Sequence, residues 1–240
     1  MFINKIRGLS LFIAIISVAV FAACDSTDPH SNLDGQGIIQ MKAASNTGSA
    51  KIQSSITTEG AISVNDGTNQ IEIREVKFYI EEFELEGTSG TADYELEDLD
   101  DFIVNLPLDG TPITIIQADI PTGFYDEFEL DIEKPASDIN VSDLDFRDET
   151  GSYSVVVKGL YNGEEFTFRS SEDFEIDVDL NPPLEISEVS QSTLMIEIFV
   201  PIWFMGADGM IMNPNDQKNI ERIDENIEDS FEAFEDKLED

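Results

Sequence analysis

The clearest regularity along the chain is a two-residue alternation of apolar and acidic positions. Phe128, Leu130 and Ile132 alternate with Glu129, Asp131 and Glu133, and Phe174, Ile176, Val178 and Leu180 alternate with Glu175, Asp177 and Asp179. Successive side chains of a strand point to opposite faces, so both segments read as half-buried strands with a charged outer face. Leu194, Ile196, Ile198, Val200 and Ile202 repeat the period, and Pro201, on the opposite parity, marks an edge or a bulge. Between Gln70 and Glu86 the apolar residues fall at 71 and 73, then at 76, 78 and 80, then at 83 and 85. Each change of parity predicts a β-bulge. Asn162-Gly163, between Tyr153–Tyr161 and Glu165–Arg169, predicts a hairpin turn, and Asp66-Gly67, Asp109-Gly110 and Asp208-Gly209 are further turn candidates.

After Asn213-Pro214 the period changes. Ile220, Ile223, Ile227, Phe231, Phe234 and Leu238 are spaced as the single stripe of an amphipathic helix whose opposite face is acidic. The patterns together predict an all-β fold: an antiparallel β-sandwich, immunoglobulin-like or transthyretin-like, with a C-terminal amphipathic α-helix. The acidic stretch from Pro135 to Gly151 is expected to be a long loop across one sandwich. The helix is expected to pack its stripe on the sandwich, with docking of a partner protein as its alternative use.

Charge narrows the function classes. With 13 Lys and Arg against 51 Asp and Glu, the net charge is −38, which sets the chain against nucleic acid as a partner. The 41% apolar content and 16 Phe allow a substantial core. The one histidine, His30, and the one cysteine, Cys24, leave no set of residues for a Ser-His-Asp or Cys-His nucleophile or for a zinc or copper site. No Gly-rich phosphate loop follows a strand, which argues against nucleotide chemistry. A carboxylate pair of the glycosidase kind stays open, because acids are abundant. Calcium is the most credible metal, since it takes hard oxygen ligands. The nearest match to a calcium loop is Asp177, Asp179 and Asn181 with Glu188 at the twelfth position, Pro182 standing where a glycine is expected; Asn213, Asn215 and Asp216 form a second candidate.

The N-terminal segment specifies a location. Lys5 and Arg7 precede the uncharged run Leu9 to Ala23, too short for a spanning helix and shaped as a secretory signal. Its exit, Val20-Phe21-Ala22-Ala23-Cys24, resembles the lipobox of bacterial lipoproteins. That resemblance implies cleavage before Cys24, acylation of its thiol, and permanent attachment to a leaflet. Processing would leave 11 − 51 = −40 on the remaining chain. Residues 1–23 are therefore read as a signal peptide, 24–36 as a polar tether in which His30 is solvated, 37–212 as the sandwich and 213–240 as the acidic helix.

The run from Asp100 to Asp109, followed by Asp119 to Ile132, also resembles a pattern of uncharacterised cell-envelope lipoproteins, carried by Pro121, Gly123, Tyr125 and the alternating Phe128, Leu130 and Ile132. It implies a β-sandwich domain of unknown function and no catalytic residues. The expected protein is non-enzymatic and lipid-anchored at the outer membrane, binding or scaffolding another envelope component. A carboxylate-dependent hydrolase and a calcium-stabilised adhesion module are the alternatives. In growing bacteria, radiolabelled palmitate is expected to enter the wild-type chain and not Cys24→Ala; label in both would remove the lipid anchor.

Overall fold

The computed structural model describes residues 34–44, 53–58, 60–88, 90–96 and 102–236; the signal segment, Cys24, His30 and Leu238 lie outside them. The described residues form β1 (Asp34–Ala43), β2 (Gln53–Ile56), β3 (Ile62–Asn65), β4 (Gln70–Gly87), β5 (Tyr94–Leu96), β6 (Ile103–Asn105), β7 (Ile113–Pro121), β8 (Gly123–Ile132), β9 (Arg147–Asp148), β10 (Gly151–Ser152), β11 (Val155–Tyr161), β12 (Glu164–Ser170), β13 (Phe174–Ile186), β14 (Ser192–Ile198) and β15 (Phe231–Glu235). One helix, α1 (Ile220–Glu228), is entered through a 3₁₀ turn at Gln217–Asn219. The protein is thus mostly β, with several sheets and one short C-terminal helix. Asp34, Gly35 and Gln36, expected in the tether, already belong to β1.

The parity changes in β4 are both built as bulges. Against β11, Lys158 faces Glu75 and Gly159 faces Ile73, so Arg74 is the extra residue. Against β8, Ile80 faces Ile132 and Glu82 faces Asp131, so Glu81 is the extra residue. With both bulges in place Ile71, Ile73, Val76, Phe78, Ile80, Phe83 and Leu85 are all 1% exposed or less. Each such side chain contributes about 1.5–3 kcal/mol on burial, so a strand of constant parity would forfeit several of these contributions. The first half of β4 pairs with β3 and β11, its middle with β6, and its second half with β5 and β8. On the far side of β8 lies β13, with Phe174, Ile176 and Leu180 turned inward. At the start of β8 the buried Tyr125 hydroxyl donates to the Pro121 carbonyl at 2.7 Å, which holds the Pro-x-Gly-x-Tyr turn closed.

A separate sheet runs in the order β15-β14-β1-β7. Here β1 and β14 are parallel, with Ile39 opposite Leu194 and Met41 opposite Ile196, which departs from the expected all-antiparallel arrangement. A parallel pair needs a long crossover, and nearly the whole body of the protein lies between these two strands. One hydrophobic cluster takes in Met41 and Ile196 from this sheet together with Phe78, Phe128, Trp203 and Ile223.

Two late expectations change. β14 ends at Ile198, and Val200–Ile202 forms a 3₁₀ turn with Pro201 inside it, so the apolar alternation there does not continue as strand. Nor does β14 reach an edge, since it lies between β1 and β15. The helix expected through residue 240 stops at Glu228. Ser230 ends it by donating to the Ile227 carbonyl at 2.6 Å while accepting from the buried Trp203 indole nitrogen at 2.7 Å. Phe231 then pairs with Ile198 and meets Phe78 edge-on at 6.0 Å, and Phe234 lies opposite Met195. The chain gains more by covering the open edge of β14 than by another helical turn.

The Asn162-Gly163 hairpin has positive φ at both turn residues, 52° and 86°, as a two-residue turn of the twist-matched kind requires. Gly159, at the first bulge, is a glycine for a different reason: a Cβ there would lie 2.0 Å from the backbone oxygen of Glu72. Gly159→Ala must push the two strands apart, and is expected to cost about 1–3 kcal/mol and to lower Tm by several degrees in thermal unfolding. An unchanged Tm would show that the bulge tolerates the methyl group.

Candidate functional site

The outer face of β4, β8 and β13 carries carboxylates in register. Glu86 of β4 lies opposite Glu127 of β8, which lies opposite Asp179 of β13; Glu84, Glu129 and Asp177 form the next row, and Glu82, Asp131 and Glu175 the third. Neighbouring strands are about 4.8 Å apart and same-face residues about 6.8 Å apart along a strand, so nine acids form a compact grid. Glu84 further faces Glu95 of β5. Like charges directly opposite each other are destabilising. The face holds together because the alternate residues, Phe83, Leu85, Phe128, Leu130, Ile176 and their neighbours, are buried beneath it.

Crowding is registered in the proton affinities. Burial first, and then the charges of Asp131, Asp177, Glu175 and Glu84, push the Glu129 carboxyl up to about 7. Burial and then Glu82, Glu133, Glu175 and Asp177 push Asp131 up to about 6. Glu127 is raised chiefly by Glu86. Carboxylate oxygens of Glu129, Glu175 and Asp177 lie within 4.8 Å of one another, close enough to touch one cation at the 2.3–2.6 Å distances of calcium.

A cluster of cations serves another face. Lys77 contacts Asp143 and Asp145, each at 2.7 Å, and Glu75 at 3.2 Å. Lys158 joins Glu75 at 3.0 Å and also meets Asp145. Burial works against the charged form of Lys77, but its hydrogen bonds to Asp143, Asp145 and Glu75 outweigh that and hold it above the usual lysine range. Arg147 donates to the carbonyls of Ile139, Pro135 and Ala136 at 2.6–2.7 Å. The acidic segment from 135 to 151 is therefore fastened to β4 and β11 by neutralising contacts.

The structure does not bring the four candidate calcium ligands of the sequence together. Asp177 and Asp179 stand on the outer face of β13, whereas Asn181 lies in the register shift and Glu188 in the turn beyond the strand. Asp177 is opposite Glu129 and Ile186 opposite Gly123, six residues along β8, so Asp177 and the segment holding Glu188 are about 20 Å apart. The strand continues through the segment because Leu180, Leu184 and Ile186 are buried. The second candidate is also occupied locally: Asn213 Oδ1 accepts from the Asn215 amide and Asp216 Oδ1 from the Lys218 amide, capping the turn into α1. Of the expected ligands, Asp177 alone is placed in a three-carboxylate group, with Glu129 and Glu175, which sequence reading did not nominate. The alternating acids were visible; the register that unites them was not.

Asp224 belongs to the acidic residues of α1, yet it is only 6% exposed. Burial, aided by the charge of Glu172 and opposed by a hydrogen bond with Ser170, pushes its carboxyl up to about 6. No protein-family model, curated protein or solved structure matches the chain. Among the described residues no helix is long and apolar enough to cross a membrane.

Glu129, Asp131 and Asp224 all hold protons more tightly folded than unfolded. Their effect on stability is therefore favourable as pH falls from about 7 to about 4. Asp66, Asp109, Asp143, Asp145 and Asp148 are lowered, and the stability they contribute is lost only as pH falls below about 4. Tm is expected to be about 5 °C higher at pH 5 than at pH 8 and to drop again below about pH 4. A Tm that declines steadily from pH 8 to pH 5 would contradict the assignment.

Proposed function

We propose that the protein is a lipid-anchored, non-enzymatic module of the cell envelope, held at the outer membrane through Cys24, which binds or scaffolds through its acidic sheet face. The three-row carboxylate grid carries this reading. Direct like-charge pairs across strands work against folding, and departures from local stability rules concentrate where a protein functions. The body is read as a β-sandwich: the β15-β14-β1-β7 sheet and the β4-β8-β13 face contribute to one hydrophobic cluster, which supports two layers packed face to face. Residues 24–33, between the lipidated cysteine and β1, span no more than about 35 Å when extended, so the module would stay close to its leaflet.

The closeness of the Glu129, Glu175 and Asp177 oxygens favours calcium as the ion this face takes, making it a calcium-stabilised adhesion or scaffolding module. A cation between the three carboxylates would remove their repulsion, so binding is coupled to stability. Calcium at about a hundred times its dissociation constant is expected to raise Tm by about 5 °C or more in the full chain. The rise is expected to vanish in Glu129→Gln/Asp177→Asn, whose calcium-free Tm should be higher than that of the wild type. A calcium response that survives in the double variant would overturn the site.

A further inference from the structure

We propose that the groove between α1 and the segment joining β12 to β13 is a second site, which binds a small aliphatic polyamine. The groove is open to solvent and has a volume of about 700 Å³, within the range of small-molecule pockets. Its lining combines the carboxylates Glu172, Glu221, Asp224 and Glu228 with the apolar surfaces of Phe174 and Ile220. Glu221, Asp224 and Glu228 fall on one side of α1 because residues three, four and seven apart share a helix face. Two further acids of the groove are already matched, Asp173 by Lys134 at 2.5 Å and Glu225 by Arg222 at 2.8 Å.

Asp224 gives the groove its direction. The residue is only 6% exposed, and its Oδ1 has no hydrogen-bond partner. A buried carboxylate oxygen left in that state is costly, and a cationic donor in the groove would relieve it. The arrangement suits a chain of ammonium groups better than a metal ion. Among the described residues, the three-carboxylate group within ligand distance is on the sheet face, at Glu129, Glu175 and Asp177, and not here. Glu221 and Glu228 are two helical turns apart, about 10.5 Å along the axis, so the negative charge is spread along the groove. Ammonium groups joined by methylene spacers match that spread, with the spacers against Phe174 and Ile220.

Calorimetric titration of the full chain in detergent with spermidine, at pH 7.5 in 150 mM sodium chloride, tests the site. Saturable binding near one equivalent is expected, weakened tenfold or more by Asp224→Asn and also weakened by Glu228→Gln on the rim, which covers failure of the first variant to fold. Glu129→Gln, on the sheet face, is expected to leave spermidine binding unchanged, so the two sites fail or stand separately. Binding that does not saturate, that is indifferent to both groove variants, or that calcium abolishes at equal concentration would overturn the proposal.

Discussion

At Glu81 the chain takes one residue into β4 that has no counterpart on β8, since Ile80 faces Ile132 and Glu82 faces Asp131. That extra residue reverses which side chains point inward. Beyond it Phe83 and Leu85 enter the core and Glu82, Glu84 and Glu86 turn outward, opposite the acids of β8. It also falls where β4 passes from pairing with β11 and β6 to pairing with β8 and β5. A bulge increases local twist, which suits a strand that leaves one set of partners for another. The core beneath the acidic face, and the face itself, both depend on this single insertion.

A chain with 13 cations and 51 acids cannot neutralise every surface, so where the cations go determines what each surface can be. Lys77, Lys158 and Arg147 gather around the segment from 135 to 151, which is polar and acidic and has little apolar area with which to hold itself down. Phe146 and the ionic contacts do that together. The β8 and β13 face is fastened differently, by the rows of Phe, Leu and Ile under it, and can hold unneutralised acids. Partly buried ion pairs and apolar burial thus serve the two faces separately. Glu129 and Asp131, with raised proton affinity, and Asp143 and Asp145, with lowered affinity, accordingly lie on different faces.

Strand alternation and turn chemistry are local properties, and they were legible. The spacing at 71, 73, 76, 78, 80, 83 and 85 locates both bulges of β4 to within a residue or two, and Asn162-Gly163 locates the β11–β12 hairpin. What depends on partners was not legible. Nothing in the period of β1 or β14 tells a parallel neighbour from an antiparallel one. Phe231 and Phe234 continue the helical spacing, but a pair three residues apart does not choose between helix and strand; the free edge of β14 and the ring of Phe78 do. Asp177 was visible as an acid, while its companions Glu129 and Glu175 depend on which strand lies beside which and in what register.

The same logic separates the two acidic sites. On a sheet, carboxylates opposite one another are held at the strand spacing of about 4.8 Å and cannot drift apart without breaking the ladder, so they converge on a point charge. On a helix, acids on one face are separated by whole turns of about 5.4 Å along the axis, and their charge forms a line. Sheet acids repel at short range and are relieved by one small ion between them. Helix acids repel less, and the cost in the groove lies instead in the burial of Asp224, which a hydrogen-bond donor relieves as well as a charge. On the proposed reading, the backbone geometry that carries each set of acids therefore selects the shape of the cation that would fit it, a compact ion over the β8–β13 rows and an extended one along α1.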